Sequence, residues 1–144
     1  MFTPNQIDVR RFFCGCYRKM NDNHPMEAIE ALAAGWIREH PEYHAILADE
    51  PAALAAIGMA APEGQENPFL HLSMHLSISE QCSIDQPAGV RAAIETLTHK
   101  LNSLHQAHHV AMDELGRMLW ESQRRGAPPD AALYVDQLRR KTSN

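Results

Sequence analysis

Proline interrupts an otherwise helical hydrophobic pattern along this chain, and that punctuation constrains the fold more than any other feature. Pro4, Pro25, Pro41, Pro68 and Pro87 each stand at the opening of a segment whose apolar residues recur three and four positions apart. Gly126-Ala127-Pro128-Pro129 closes the longest such segment. Proline suits the first turn of a helix, where its missing N–H is not needed, and it pushes the residue before it out of helical geometry. No stretch shows the two-residue alternation of a half-buried strand. The pattern predicts an all-α, single-domain helical bundle of about five helices, one of them long, over residues 1–144.

The first helix runs from Thr3-Pro4 to about Met20. The second opens at His24-Pro25 and carries Ile29, Ala33, Trp36 and His40 on one stripe. It ends near His40, because Pro41 follows and starts a short turn through Tyr43, His44 and Leu47. Residues 49–66 are alanine-rich but broken by Pro51, Gly58, Pro62 and Gly64, which reads as a compact loop with a helical turn or two. Asn67-Pro68 is an N-cap followed by a first-turn proline, and opens a third helix to about Cys82 that is apolar on most of its circumference. From Asp85 and Pro87 the longest helix extends to about Arg125. Its seam is Ile94, Leu97, Leu101, Leu104, His108, Ala111, Leu115 and Met118, with Asn102-Ser103 as the point where it can break. A last helix from about Pro129 to Lys141 buries Leu133, Tyr134 and Leu138.

A domain of this length buries about two-thirds of its unfolded surface and needs no covalent staple. Cys14, Cys16 and Cys82 make no disulfide framework, and on a helix Cys14 and Cys16 point about 160° apart, so they read as core residues and not as a chelate. Residues Met1 to Arg11 hold no apolar stretch of signal-peptide length, which predicts a cytoplasmic protein. The longest near-apolar run, Ala52 to Ala61, is half the length a membrane span needs. A net charge of −5 argues against a nucleic-acid partner. A protein partner or a second copy of the chain stays open. Between Glu39 and Val90 there is no lysine or arginine, while eight acids occur, an environment that favours cations.

Three segments carry histidines four residues apart: His40 and His44, His71 and His75, His105 and His109. On a helix that step turns about 40° and climbs roughly 6 Å, so both rings serve one patch of space and one metal ion. His71 and His75 are the strongest pair, because their helix is the most apolar and polar rings there need a reason. In the second cluster His108 occupies the seam, His105 lies about 60° from it and His109 about 100°, which makes His105 and His108 the better inward pair. His40 reaches inward from a helix end, while Pro41 breaks its helical link to His44. The expected site is a transition-metal centre, iron or zinc, between the third and the long helix. His71 and His75 are its ligands, His105 or His108 stands opposite, and His40 or His44 closes the shell. An open position there would activate water or oxygen, with Glu42 or Glu114 as base. The competing reading is a metal-free structural or interaction protein whose histidines bond to backbone or to acids such as Glu30 and Glu114, with the Ala52 to Ala61 loop as its partner surface.

Neither HLSMH nor HPEYH is the zinc-protease HExxH, and no Glu-x-x-His of the ferritin-like type occurs. Histidine-rich helices with some carboxylates look closer to a hemerythrin or DinB style of site. Nucleophile elbows and phosphate-binding glycine loops are also missing from the sequence. At Arg10-Arg11-Phe12-Phe13-Cys14, His40-Pro41-Glu42-Tyr43-His44, Asn67-Pro68-Phe69-Leu70-His71-Leu72-Ser73-Met74-His75 and Ser83-Ile84-Asp85-Gln86-Pro87, the chain resembles the bacterial domain of unknown function 1841 family. The resemblance covers nearly the whole chain and implies no activity and no catalytic residue.

Overall fold

A computed structural model describes residues 5–59 and 66–143. Among them the chain forms eight α-helices and one 3₁₀ turn, and no strand. The all-α expectation holds, but the count of about five helices does not. Each extra helix comes from a local break with its own chemistry. The chain divides into two compact units, Met1–Leu76 and Ser77–Asn144.

In the first unit α1 (Gln6–Asn21) is capped by Asn5, whose side chain accepts from the Asp8 N–H at 2.8 Å. The Thr3-Pro4 start expected for it lies outside the described residues. Helix α2 (Ala28–Arg38) opens later than His24-Pro25, at a capping box in which Glu27 and Glu30 satisfy one another's backbone N–H groups. Pro41 then forces the break, and a 3₁₀ turn (Pro41–Tyr43) leads into the one-turn α3 (His44–Leu47). Asp49 caps α4 (Glu50–Ala55), a helix where a loop with a turn or two was expected. Helix α5 (Pro68–Ile84) begins where Asn67 accepts from Phe69 and Leu70 N–H groups at 3.0 and 3.4 Å. These elements close over a core of Phe13, Cys14, Cys16, Trp36, Ile37, Leu47, Phe69 and Leu72 among others. Both Cys14 and Cys16 are buried, and burial pushes the Cys16 thiol up to about 12, with Glu30 adding to it, so it is an inert core group. Ile29, placed on the α2 stripe by the helical pattern, is exposed, and so is Leu70 on the apolar α5.

The boundary between the units falls inside α5. In the second unit the end of α5 is capped from α6 (Val90–Leu101): Arg91 donates to the Cys82 and Ser83 carbonyls at 2.7 and 2.8 Å. Asp85 accepts from the Arg91 and Gly89 N–H groups, which holds its carboxyl below the usual range. The long helix expected to reach Arg125 is two helices. Asn102 takes left-handed backbone (φ 54°), and Ser103 then caps α7 (Leu104–Arg125) through the Gln106 N–H. Leu101 and Leu104, assigned to one continuous seam, are consequently exposed. Asp130 caps α8 (Ala131–Thr142), which buries Tyr134, Val135 and Leu138 and leaves Leu133 exposed. Helices α6, α7 and α8 pack mutually around Ile94, Leu97, Ala107, Ala111, Leu115 and Leu138. No helix among the described residues is long and apolar enough to cross a membrane.

Candidate metal centre

Three histidines converge in the first unit, each delivered by a different local device. His71 and His75 come one turn apart on α5, and their ring centroids lie 4.8 Å apart. His40 owes its position to Pro41: ejected from helical geometry (φ −129°, ψ 64°), it turns inward at the end of α2. Its ring lies 4.9 Å from that of His71 and 4.8 Å from that of His75. The three offer ring nitrogens within 4.8 Å of one another. His40 and His75 are buried, at 2 % and 0 % exposure.

Aromatic and polar neighbours fix the rings. The indole of Trp36 on α2 stacks on His75 with centroids 4.0 Å apart and planes 13° from parallel. The Tyr43 phenol ring lies parallel to His40 at 5.1 Å. His40 Nδ1 lies 2.7 Å from the Trp36 carbonyl oxygen, and His71 Nδ1 lies 2.7 Å from Glu66 Oε2. A carbonyl and a carboxylate can only accept, so both Nδ1 atoms carry a proton and donate it. In each neutral ring the lone pair is then on Nε2. Those two Nε2 atoms face one another at 3.1 Å.

Two lone pairs at that distance repel unless a cation is shared between them. A proton on one ring is one solution, and a metal ion bound by both is the other. At metal–nitrogen bonds of about 2.1 Å, neighbouring ligand atoms around one ion sit roughly 3.0–3.4 Å apart, which accommodates the observed contact. Nδ1–H groups held by a carbonyl and a carboxylate are also the outer-shell arrangement that orients metal-binding imidazoles.

The second unit holds another one-turn pair of its own. His105 and His109 on α7 have ring centroids 4.5 Å apart with planes 77° from parallel. The structure therefore pairs His105 with His109, where the helical wheel favours His108. His108 is buried at 2 % exposure in the seam, as its register predicts, and burial, reinforced by His105 and His109, pushes its pKa down to about 4. It is a neutral core ring at pH 7. His44 is also outside the group: its Nε2 donates to the Ile37 carbonyl at 2.8 Å and its ring lies 5.0 Å from that of Tyr17. His24 and His99 are exposed.

The carboxylates considered beside the histidines have other work. Glu30 is bonded to Lys19, and buried Glu114 lies between Arg117 and Lys141 at 3.6 and 3.5 Å. Glu42 is exposed on the 3₁₀ turn. Sequence reasoning missed Glu66 as the partner of His71 and Trp36 as the stacking surface of His75. Trp36 did carry a signal, since it lies one helical turn before His40. Glu66 lies before the Asn67 cap, where helical periodicity gives no direction to a side chain.

A family model described as Domain of unknown function (DUF1841) matches residues 5–140, nearly the whole chain, and the chain belongs to that family. No curated protein and no solved structure matches it.

Proposed function

We propose that this DUF1841 protein binds one transition-metal ion, iron or zinc, through His40, His71 and His75. The observation that carries the reading is the 3.1 Å contact between two Nε2 atoms whose Nδ1 partners both accept hydrogen bonds. Three neutral imidazoles suit zinc, iron, copper or nickel and not the oxygen-seeking magnesium or calcium. Glu66 places one negative charge behind His71, which raises the basicity of that ligand. Three ligands leave coordination positions to fill. His44, whose Nε2 donates to the Ile37 carbonyl, is not among the donors.

The alternative is a metal-free structural or interaction protein in which one proton is shared between His40 and His71, for which the same contact serves as an imidazolium–imidazole hydrogen bond. Untagged protein stripped with chelator and titrated with Co(II) separates the two. The metal reading expects one ion per chain, visible d–d absorption, and loss of both in the His71→Ala, His75→Ala variant. Wild-type protein that takes up no Co(II), Zn(II) or Fe(II), with His40 or His71 protonated at pH 7 in ¹⁵N spectra, establishes the hydrogen-bond network instead.

A further inference from the structure

Arg10 on α1 is buried, at 7 % exposure. Its Nη1 donates to the Ala53 carbonyl at 2.7 Å, and its guanidinium carbon lies 4.8 Å from the centroid of the Phe69 ring. Among the described residues no carboxylate lies within ion-pair distance of it. A guanidinium carries five N–H donors, and a single carbonyl occupies one of them. Taking a cation out of water is expensive, and one neutral oxygen with one ring face offsets only part of that cost.

The same arginine lines a solvent-open cavity of about 330 Å³ in the first unit. That volume lies at the lower end of the range for small-molecule sites. Val9, Phe69 and Leu70 supply its apolar wall, and Asn67 and Ser73 its polar side. Leu70 is 60 % exposed at this wall. The cavity also lies at the start of α5, where the helix dipole places about half a positive charge. Asn67 commits its side-chain oxygen to the Phe69 and Leu70 N–H groups, which leaves its amide nitrogen as a donor. Arg10, the start of α5 and the Asn67 amide favour an anion, while Ser73 spends its hydroxyl proton on the Phe69 carbonyl and the apolar wall suits an apolar body.

We propose that this cavity binds a small monocarboxylate with an apolar body, its carboxylate on the Arg10 guanidinium and its body against Val9, Phe69 and Leu70. The planar fork of arginine matches a carboxylate with two parallel hydrogen bonds. One guanidinium and half a helix charge balance a monoanion, and among the described residues no lysine or second arginine lines the cavity to balance a phosphate dianion. This site is independent of the histidine centre.

The probes are benzoate, its neutral isostere benzamide, and inorganic phosphate, each titrated into the full chain and followed by amide ¹H–¹⁵N shifts up to about 10 mM, which reads a Kd near 1 mM. Benzoate is expected to give saturable shifts confined to residues 6–10 and 67–73, and benzamide none. Arg10→Met is expected to weaken benzoate at least tenfold. Leu70→Trp, at an exposed position that the fold tolerates, is expected to weaken it by filling the cavity with Arg10 intact. Absence of saturable benzoate shifts overturns the proposal. So does benzoate binding unchanged in both variants, equal binding of benzamide, or a preference for phosphate.

Discussion

Glu66→Gln probes the metal centre without touching a ligand. The carboxylate sits 2.7 Å from His71 Nδ1, within the range of charge-assisted hydrogen bonds. Glutamine keeps the length and an accepting oxygen, so the charge is what is lost. Removing an outer-shell partner of a metal-binding histidine weakens binding about 10–100-fold. The Glu66 side chain is 73 % exposed while that of His71 is 12 % exposed, so water screens the carboxylate and takes over part of its role. The expected loss is therefore at the lower end, about tenfold or ~1.4 kcal/mol. Competition for Zn(II) against a chromophoric chelator measures it, with Glu42→Gln as an exposed control expected to leave affinity unchanged. The difference between wild type and Glu66→Gln is expected to shrink as salt rises, because an exposed charge is screened. Affinity of Glu66→Gln within twofold of wild type at low salt, with His71→Ala clearly impaired, would refute the outer-shell role of Glu66 and the tautomer assigned to His71 through it.

Three further outcomes follow from the same geometry. With Trp120→Phe removing the exposed indole, Co(II) is expected to quench Trp36 emission through the His75 ring stacked on it, and His75→Ala to abolish the quenching. At the α6–α7 break, Ser103→Ala is expected to cost about 1 kcal/mol in urea unfolding by deleting an N-cap, Asn102→Gly to be nearly neutral, and Asn102→Val to destabilise, because a β-branched residue resists left-handed backbone. The Asp85 carboxyl is lowered in the folded state by N–H groups of Arg91 and then Gly89, so its contribution to stability is complete above the ordinary aspartate range and is lost as pH falls below that range through the lowered folded-state value. Acid titration of Asp85→Ala followed by circular dichroism is accordingly expected to show a flatter decline than wild type.

The helices were legible because their causes are local. Asn67-Pro68 marks the start of α5 and Pro41 the end of the α2 stripe, since capping and the steric restriction before proline act within a few residues. The break at Asn102-Ser103 was visible only as a place where the helix can bend: the heptad spacing of Leu101 and Leu104 continues straight across it, and periodicity does not register a single left-handed residue. The site was legible in its strongest member. His71 and His75 follow from a four-residue step, but the pairing of His105 with His109 rather than His108 did not follow from angles around an ideal helix.

The sequence by itself determined an all-α chain, where α5 begins and the α2 stripe ends, and that His71 and His75 share a face. Helix period, proline sterics and capping are properties of neighbours along the backbone. Only the tertiary structure decided that His40 meets His71 nitrogen to nitrogen, that Trp36 and Glu66 hold the surrounding rings, and that Arg10 is buried against the Ala53 carbonyl and the Phe69 ring. Those contacts join residues far apart along the chain, 43 positions in the case of Arg10 and Ala53. Which side chains meet over such separations is set by how the helices pack, which no short-range rule reaches.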